Sequence, residues 1–231
     1  KELDLLASLI DGMNESGSGA GAGAAGVRVD EDKKGKSGVK NGSNMSSVLL
    51  VIEMCWGDVG LLLSMPRQGL GNSAIASVAT DEQLQRFKGT WASMAITEPS
   101  FGSDSAAIKT TAIKDGDHYV LNGEKIFVTA GDRSDSVVVW ATLDKELGRA
   151  AVKSFVVPKS LPGIRVERLE HKLGIHASPT AVMAYGDHGG AIGYLVGEEN
   201  RGLEYMFIMM NAARFSVGME GVGIAERAYQ R

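Results

Sequence analysis

The apolar positions along the chain change period twice, and those changes predict its elements. Leu3, Leu5, Leu6, Leu9 and Ile10 recur at helical spacing and predict a short amphipathic helix over residues 2–13. Residues 15–44 hold almost no large apolar side chain, so little burial is available to offset the entropy of ordering them. They read as a disordered Gly-rich insertion or linker. A strongly apolar segment over residues 46–65 predicts one or two buried helices, broken at Gly57 and Gly60 and stopped by Pro66. A further helix is expected over 72–78. Thr80 with Gln83 three residues on is a capping-box pattern that opens a short helix, DEQLQRF.

After Trp91 the period becomes strand-like. HYVL and EKIFV flank Asn122-Gly123, a dipeptide suited to a two-residue hairpin turn because it tolerates positive φ at both central positions. SVVVWATL, VKSFVVPK and GIRVERLEHK follow as β-rich runs, with TAVMAY as the expected last strand. Five or more strands without intervening helices argue for an antiparallel β-sandwich or small barrel, so the fold class is α+β. From Arg201 onward Leu203, Met206, Phe207 and Met210 return to the helical period, and that helix is expected to run to Arg231. An apolar-faced helix of that length needs something to pack against, which suggests a longer protein or an oligomer. The chain therefore divides into an N-terminal helical region (1–93), a middle β domain (94–197) and the first helix of a C-terminal helical domain (198–231).

Composition narrows the function classes. With 231 residues, 44% of them hydrophobic, the chain can bury a core. A net charge of -4 gives no basic stripe to neutralise phosphates, so nucleic acid is not an expected partner. A single cysteine, Cys55, excludes an internal disulfide and a Cys-rich metal site and fits a reducing, cytoplasmic setting. The longest apolar runs are interrupted by Glu53 and Asp58 and fall short of the about 20 residues a membrane span needs. The first residues carry acidic side chains inside the apolar run and do not read as a secretory signal.

Several motif-like strings weigh little. Gly21-Ala22-Gly23-Ala24-Ala25-Gly26 matches a dinucleotide-binding pattern, but it lies in low-complexity sequence without the strand and helix that would receive a pyrophosphate. Gly69-x-Gly71-x-x-Ala74 follows Pro66-Arg67-Gln68, where a strand should end. Gly35-Lys36-Ser37 lacks the first glycine of a phosphate loop. His171 and His176 have no third ligand at suitable spacing, so no metal site is expected. Met206, Met209 and Met210 at helical spacing read as core.

Residues 94–131 are harder to set aside. Thr97, Ser103 and Thr129 provide hydroxyls, Gly102 and Gly131 permit close backbone approach, and Phe127 offers an aromatic face between two polar turns. Such a stretch suits the edge of a flat, hydrogen-bonding ligand. On spacing alone, two well-capped β-turns around a core phenylalanine remain the stronger account.

Met94-Ala95-Ile96-Thr97-Glu98-Pro99, then Gly102-Ser103-Asp104, then Asn122-Gly123-Glu124-Lys125-Ile126-Phe127-Val128-Thr129 resemble the flavin-binding signatures of the acyl-CoA dehydrogenase family. The likeness continues through LVGEENRGL and NAARFSVGMEGVGIAERAYQ and covers nearly everything from Cys55 onward. It implies FAD as cofactor, with Ile96, Thr97 and Thr129 at the flavin's polar edge and Phe127 on the ring. Gly102 and Ser103 would lie where flavin and thioester meet, Ser178 in a turn that contacts CoA, and Arg214 near the active site. The implied reaction is α,β-dehydrogenation of an acyl-CoA thioester: a base takes the proton next to the carbonyl and a hydride leaves the adjacent carbon. An electron-transferring flavoprotein or similar acceptor and a homo-oligomeric complete protein are implied with it.

The resemblance fails at the base. One known location lies beyond Arg231, and the other, immediately before Arg214, holds Ala213; Glu204 and Glu220 match neither. No catalytic residue is assigned, and the chain alone is expected to be inactive. A non-catalytic acyl-CoA or flavin-binding scaffold and an acyl-CoA oxidase are the competing readings.

Overall fold

The computed structural model describes residues 43–64, 70–87, 89–198 and 201–231. The helix expected over 2–13, the Gly-rich insertion up to residue 42 and the stop at Pro66 lie outside them. Helix α1 spans Ser43–Ser64 and breaks at Asp58, whose φ of -164° and ψ of 109° are extended. The break falls between the two glycines that predict it. The Asp58 carboxylate accepts the Leu61 N–H at 2.9 Å, so it caps the short segment that follows. Helix α2 spans Leu70–Val78 and α3 Asp81–Arg86. The capping box forms as expected: Gln83 N–H donates to the Thr80 hydroxyl and Thr80 N–H donates to Gln83 Oε1. Gln83 also donates to the Leu195 carbonyl and accepts from Gly197 N–H, which ties α3 to the end of the sheet.

Eight strands follow: β1 Ala92–Ala95, β2 Thr111–Asp115, β3 His118–Thr129, β4 Ser136–Thr142, β5 Val152–Pro158, β6 Ile164–Leu169, β7 Thr180–Tyr185 and β8 Ala191–Leu195. Their order is β1-β4-β5-β8-β3-β7-β6, and β2 pairs with β3 and touches β4 at Thr111 and Thr142. Strands β2, β3, β8, β5 and β4 thus close into a small barrel, and β7 and β6 extend it from the second half of β3. TAVMAY is not the last strand. The short run AIGYL forms β8 and closes the barrel between β3 and β5. Most pairings are antiparallel, but β1 runs parallel to β4, as does β2 at its single bridge to that strand.

The hairpin turn also differs from expectation. Asp115 pairs with His118, so the chain reverses at Gly116-Asp117, with Gly116 at φ 60°. Asn122-Gly123 is straight strand at which β3 changes partners, from β2 and β8 to β7. A side chain at Gly123 would meet Thr110 at 2.4 Å, so the glycine serves a close strand approach rather than a turn.

β4 is buried along its whole length because its two faces meet different layers. Val137, Val139 and Ala141 enter the barrel core with Leu121, Phe155 and Met183. Val138 and Trp140 point the other way, against Ile75 of α2 and Leu203, Met206 and Met209 of helix α4, Gly202–Gln230. Met206 and Met209 are therefore core, and Trp140 Nε1 donates to the Gly202 carbonyl at 3.0 Å, fixing where α4 starts. The far half of α4 leaves the barrel and packs on α1, where Gly223 sits against the Ile52 carbonyl and Cys55. Among the described residues no helix is long and apolar enough to cross a membrane.

Candidate functional site

Two buried ions position the site. Lys125 of β3 points into the barrel with no exposed surface, and its Nζ donates to Glu98 Oε1 at 2.8 Å and to the Ile96 carbonyl at 3.0 Å. Glu98 also accepts from the N–H groups of Lys109 and Thr110 and from the Thr110 hydroxyl. Burial alone would raise the Glu98 carboxyl, but the Lys125 charge and these hydrogen bonds outweigh it and hold the carboxyl below its usual range. Burial draws the Lys125 ammonium down to about 8 against the pull of Glu98. The direct contact with Lys125 and the donors around Glu98 favour the ionised pair. It clamps the 96–98 segment onto β3, where Ile126 N–H donates to the Thr97 carbonyl at 2.9 Å.

Just past the clamp, β3 carries a bulge. The register against β7 shifts between Lys125 and Val128, so both of these residues face the core although three positions separate them. The extra residue is accommodated at Phe127, whose φ is 59°. A phenylalanine in that region is strained, and the strain turns its ring outward, 60% exposed. Phe127 is thus not the core residue that spacing alone favoured. Thr129 is also exposed on the same strand, and Ala130 then begins a turn whose Gly131 and Asp132 carbonyls accept from Lys159 Nζ.

Phe127 and Thr129 form one wall of a cleft of about 360 Å³, with Thr180 beside them. Ile175 and Ser178 of the β6–β7 loop extend that wall, and Lys172 braces the loop by donating to the Ile175 and Ser178 carbonyls. Leu63 and Leu70 line the cleft from the N-terminal helices, and Ala213, Val217 and Glu220 from α4. Burial raises the Glu220 carboxyl above its ordinary value. Beneath it Cys55 is buried, and its thiol is pushed up to about 11, first by burial and then by the Glu220 charge.

Of the residues proposed from sequence, Phe127, Thr129 and Ser178 share the cleft. Ile96 and Thr97 do not line it but are held to β3 by the clamp, while Gly102 and Ser103 lie exposed on the loop after β1. Gly102 has nothing within 4 Å of where a Cβ would stand, so the chain itself does not demand glycine there. Gly131 does have an internal reason, since its Cβ would meet Met183 Sδ at 2.5 Å. Arg214 is exposed on α4 and donates to Asn211 Oδ1; it does not line the cleft, whereas its neighbour Ala213 does. Sequence reasoning missed the roles of Glu98, Lys125 and Glu220. The parity of Tyr119, Leu121 and Lys125 along one strand face carried the signal for Lys125, and the seven-residue step from Ala213 to Glu220 carried it for Glu220.

The donor set suits a flavin: an outward aromatic face, a hydroxyl beside it, an open glycine on the neighbouring loop and an apolar cleft alongside.

Known proteins resemble this chain in both sequence and fold. Residues 93–187 match the family model described as acyl-CoA dehydrogenase, middle domain. The chain is 48% identical over 159 residues to 3-methylmercaptopropionyl-CoA dehydrogenase of Ruegeria pomeroyi, covering 62% of this chain and 26% of that protein. It is 32% identical over 200 residues to a short-chain-specific acyl-CoA dehydrogenase of Clostridium acetobutylicum, covering 83% of this chain and 52% of that protein. The structure of butyryl-CoA dehydrogenase from Megasphaera elsdenii superposes with a TM-score of 0.74 at 28% identity, over 94% of this chain and 57% of that one. The chain thus spans at most a little over half the length of each of these relatives. With the barrel, the bulged strand and the first C-terminal helix all in place, the chain belongs to the acyl-CoA dehydrogenase family.

Proposed function

We propose that this chain holds FAD against its barrel and an acyl-CoA thioester in the adjoining cleft, as part of an enzyme that dehydrogenates the thioester between its α and β carbons. The outward ring of Phe127, held at positive φ by the bulge, carries the reading. A structural role would bury that ring, whereas a stacking role requires it exposed. FAD, when bound, supplies the acceptor for the hydride that leaves the β carbon. Phe127 offers one face to the ring, Thr129 a hydroxyl to its polar edge, and the Glu98–Lys125 clamp holds Ile96 and Thr97 beside that edge. Gly102 and Ser103 stand on the loop that would border both ligands. Leu63, Leu70 and Val217 keep water from the acyl group, Ser178 would meet the CoA portion, and Arg214, next to the cleft-lining Ala213, would stand near the active site. An electron-transferring flavoprotein or a similar acceptor would reoxidise the cofactor, and a homo-oligomer is the proposed assembly of the complete protein.

No carboxylate of this chain is assigned as the base, because Ala213 stands at the position before Arg214. The 231-residue chain alone is therefore expected to bind FAD weakly and to show no turnover, and steady reduction of a dye acceptor by the purified chain with FAD and acyl-CoA would contradict this. That same alanine favours the second reading, a non-catalytic acyl-CoA-binding scaffold. The visible spectrum of the purified protein, with and without added FAD, tests the cofactor. Bound flavin is expected, and Phe127→Ala should weaken it about 10-fold through lost stacking. A protein that stays colourless and leaves the FAD spectrum unchanged would overturn the reading.

A further inference from the structure

Among the described residues, the helical wall of the cleft carries one ionisable group that dehydrogenation leaves without a role. Ala213, Val217 and Glu220 follow one another at i, i+4 and i+7 on α4 and so form a single stripe facing the cleft. Glu220 is only 7% exposed. Its Oε1 has no hydrogen-bond partner among the described residues. Two other buried side-chain oxygens share that condition, on Asp132 and Tyr185, but only the one on Glu220 belongs to a residue that lines the cleft. A buried carboxyl oxygen without a donor is unfavourable, and a side chain needed only for packing here would be apolar, as Leu63, Leu70 and Val217 are. What is lacking is a donor, and the cleft is the direction from which it can come.

We propose that Glu220 pairs with a hydroxyl carried by the acyl group, so that the thioesters this cleft takes best are hydroxylated at a carbon remote from the flavin. The proposal rests on reading the cleft as an acyl-thioester site. Glu220 lies on the helical wall, about 10 Å along α4 from Ala213, while the flavin face of Phe127 and Thr129 belongs to the barrel wall. Ala213 holds one of the positions at which the family's base would stand beside the α carbon, so a carboxyl about 10 Å further along the helix meets a part of the acyl chain away from the reacting carbons. A hydroxyl fits better than an ammonium for two reasons. Outside the hydroxyls of Thr129, Ser178 and Thr180 on the barrel wall, the lining is largely apolar and offers a cation little to replace its hydration, and Lys172 already brings one positive charge to the cleft. Burial also brings the protonated carboxyl within reach, and a hydroxyl can donate to a carboxylate or accept from the acid, whereas an ammonium suits only the former.

Isothermal titration of the purified chain tests this with unbranched acyl-CoA esters, their terminally hydroxylated counterparts of equal length, and the matching terminally aminated esters. At one chain length the hydroxylated ester should bind on the order of 10-fold tighter than the unsubstituted one. Glu220→Leu should abolish or reverse that preference, and Glu220→Gln, which keeps shape and can still accept, should retain part of it. Equal or tighter binding of the unsubstituted ester at every length would overturn the proposal while leaving the acyl-thioester reading intact. So would a hydroxyl preference that survives in a folded Glu220→Leu protein. Tightest binding of the aminated ester would overturn the choice of hydroxyl. If no member of any series binds, the acyl-thioester reading itself falls and takes the proposal with it.

Discussion

Lys125 sits in the barrel without exposed surface, opposite Glu98, and the value of this pair lies in what it orients. A buried ion pair can contribute little net stability compared with apolar packing, but removing one partner strands the other. Lys125→Met should therefore destabilise the fold by about 3–5 kcal/mol in urea unfolding and release the 96–98 segment from β3. The pair also sets an acid limit. The Glu98 carboxyl titrates lower in the folded than in the unfolded chain, so its stabilisation is complete above its ordinary value of 4.5. That stabilisation is lost as pH falls through the lower folded value. Tm should drop over that acid window, and the Glu98→Gln profile should be flatter there from an already lowered Tm. Two glycines separate packing from ligand approach in the same neighbourhood. Gly131→Ala should cost about 1–3 kcal/mol by crowding Met183, whereas Gly102→Ala should leave Tm unchanged and weaken FAD binding.

Strand β3 starts at the hairpin turn and holds both the exchange of partners and the bulge within 12 residues. Both Asp115-Gly116 and Asn122-Gly123 are turn-forming pairs, and local chemistry does not choose between them. Tertiary pairing does, because only an unbroken strand sends Tyr119, Leu121 and Lys125 to one face and delivers β3 to both β8 and β7. The two glycines should then respond differently to alanine. At Gly116, with φ 60° and open space, the cost is about 1 kcal/mol. At Gly123 the new methyl would meet the Thr110 backbone at 2.8 Å, so the loss should be larger and should include the β2–β3 pairing. Denaturant midpoints of the two variants compare them directly. The bulge has no sequence signature of its own. It shows only as the three-residue step between the buried Lys125 and Val128.

Across the molecule, the barrel and the helical layer meet on the outer face of β4, and the cleft opens where α4 passes from the barrel to α1. Cys55 monitors that junction. At 2% exposure, with its thiol pushed up to about 11, it should resist a disulfide reagent in the native chain and react only when α1 separates from α4. A labelling rate that equals that of the unfolded chain would contradict the packing of these two helices.

The sequence by itself determined the elements whose cues are local. The periods of the helices, the continuous apolar run of β4, the cap at Thr80, the break between Gly57 and Gly60 and the family signatures around Thr97 and Phe127 all depend on residues a few positions apart. Only the tertiary structure decided the partners of β3, the addition of β8, the outward ring of Phe127 and the burial of Glu220. Each depends on residues distant in sequence: Glu98 clamps Lys125, Ala181 pairs with Val128, and α1 covers the far half of α4. Spacing along a chain records which faces are apolar, but not which other faces they will meet.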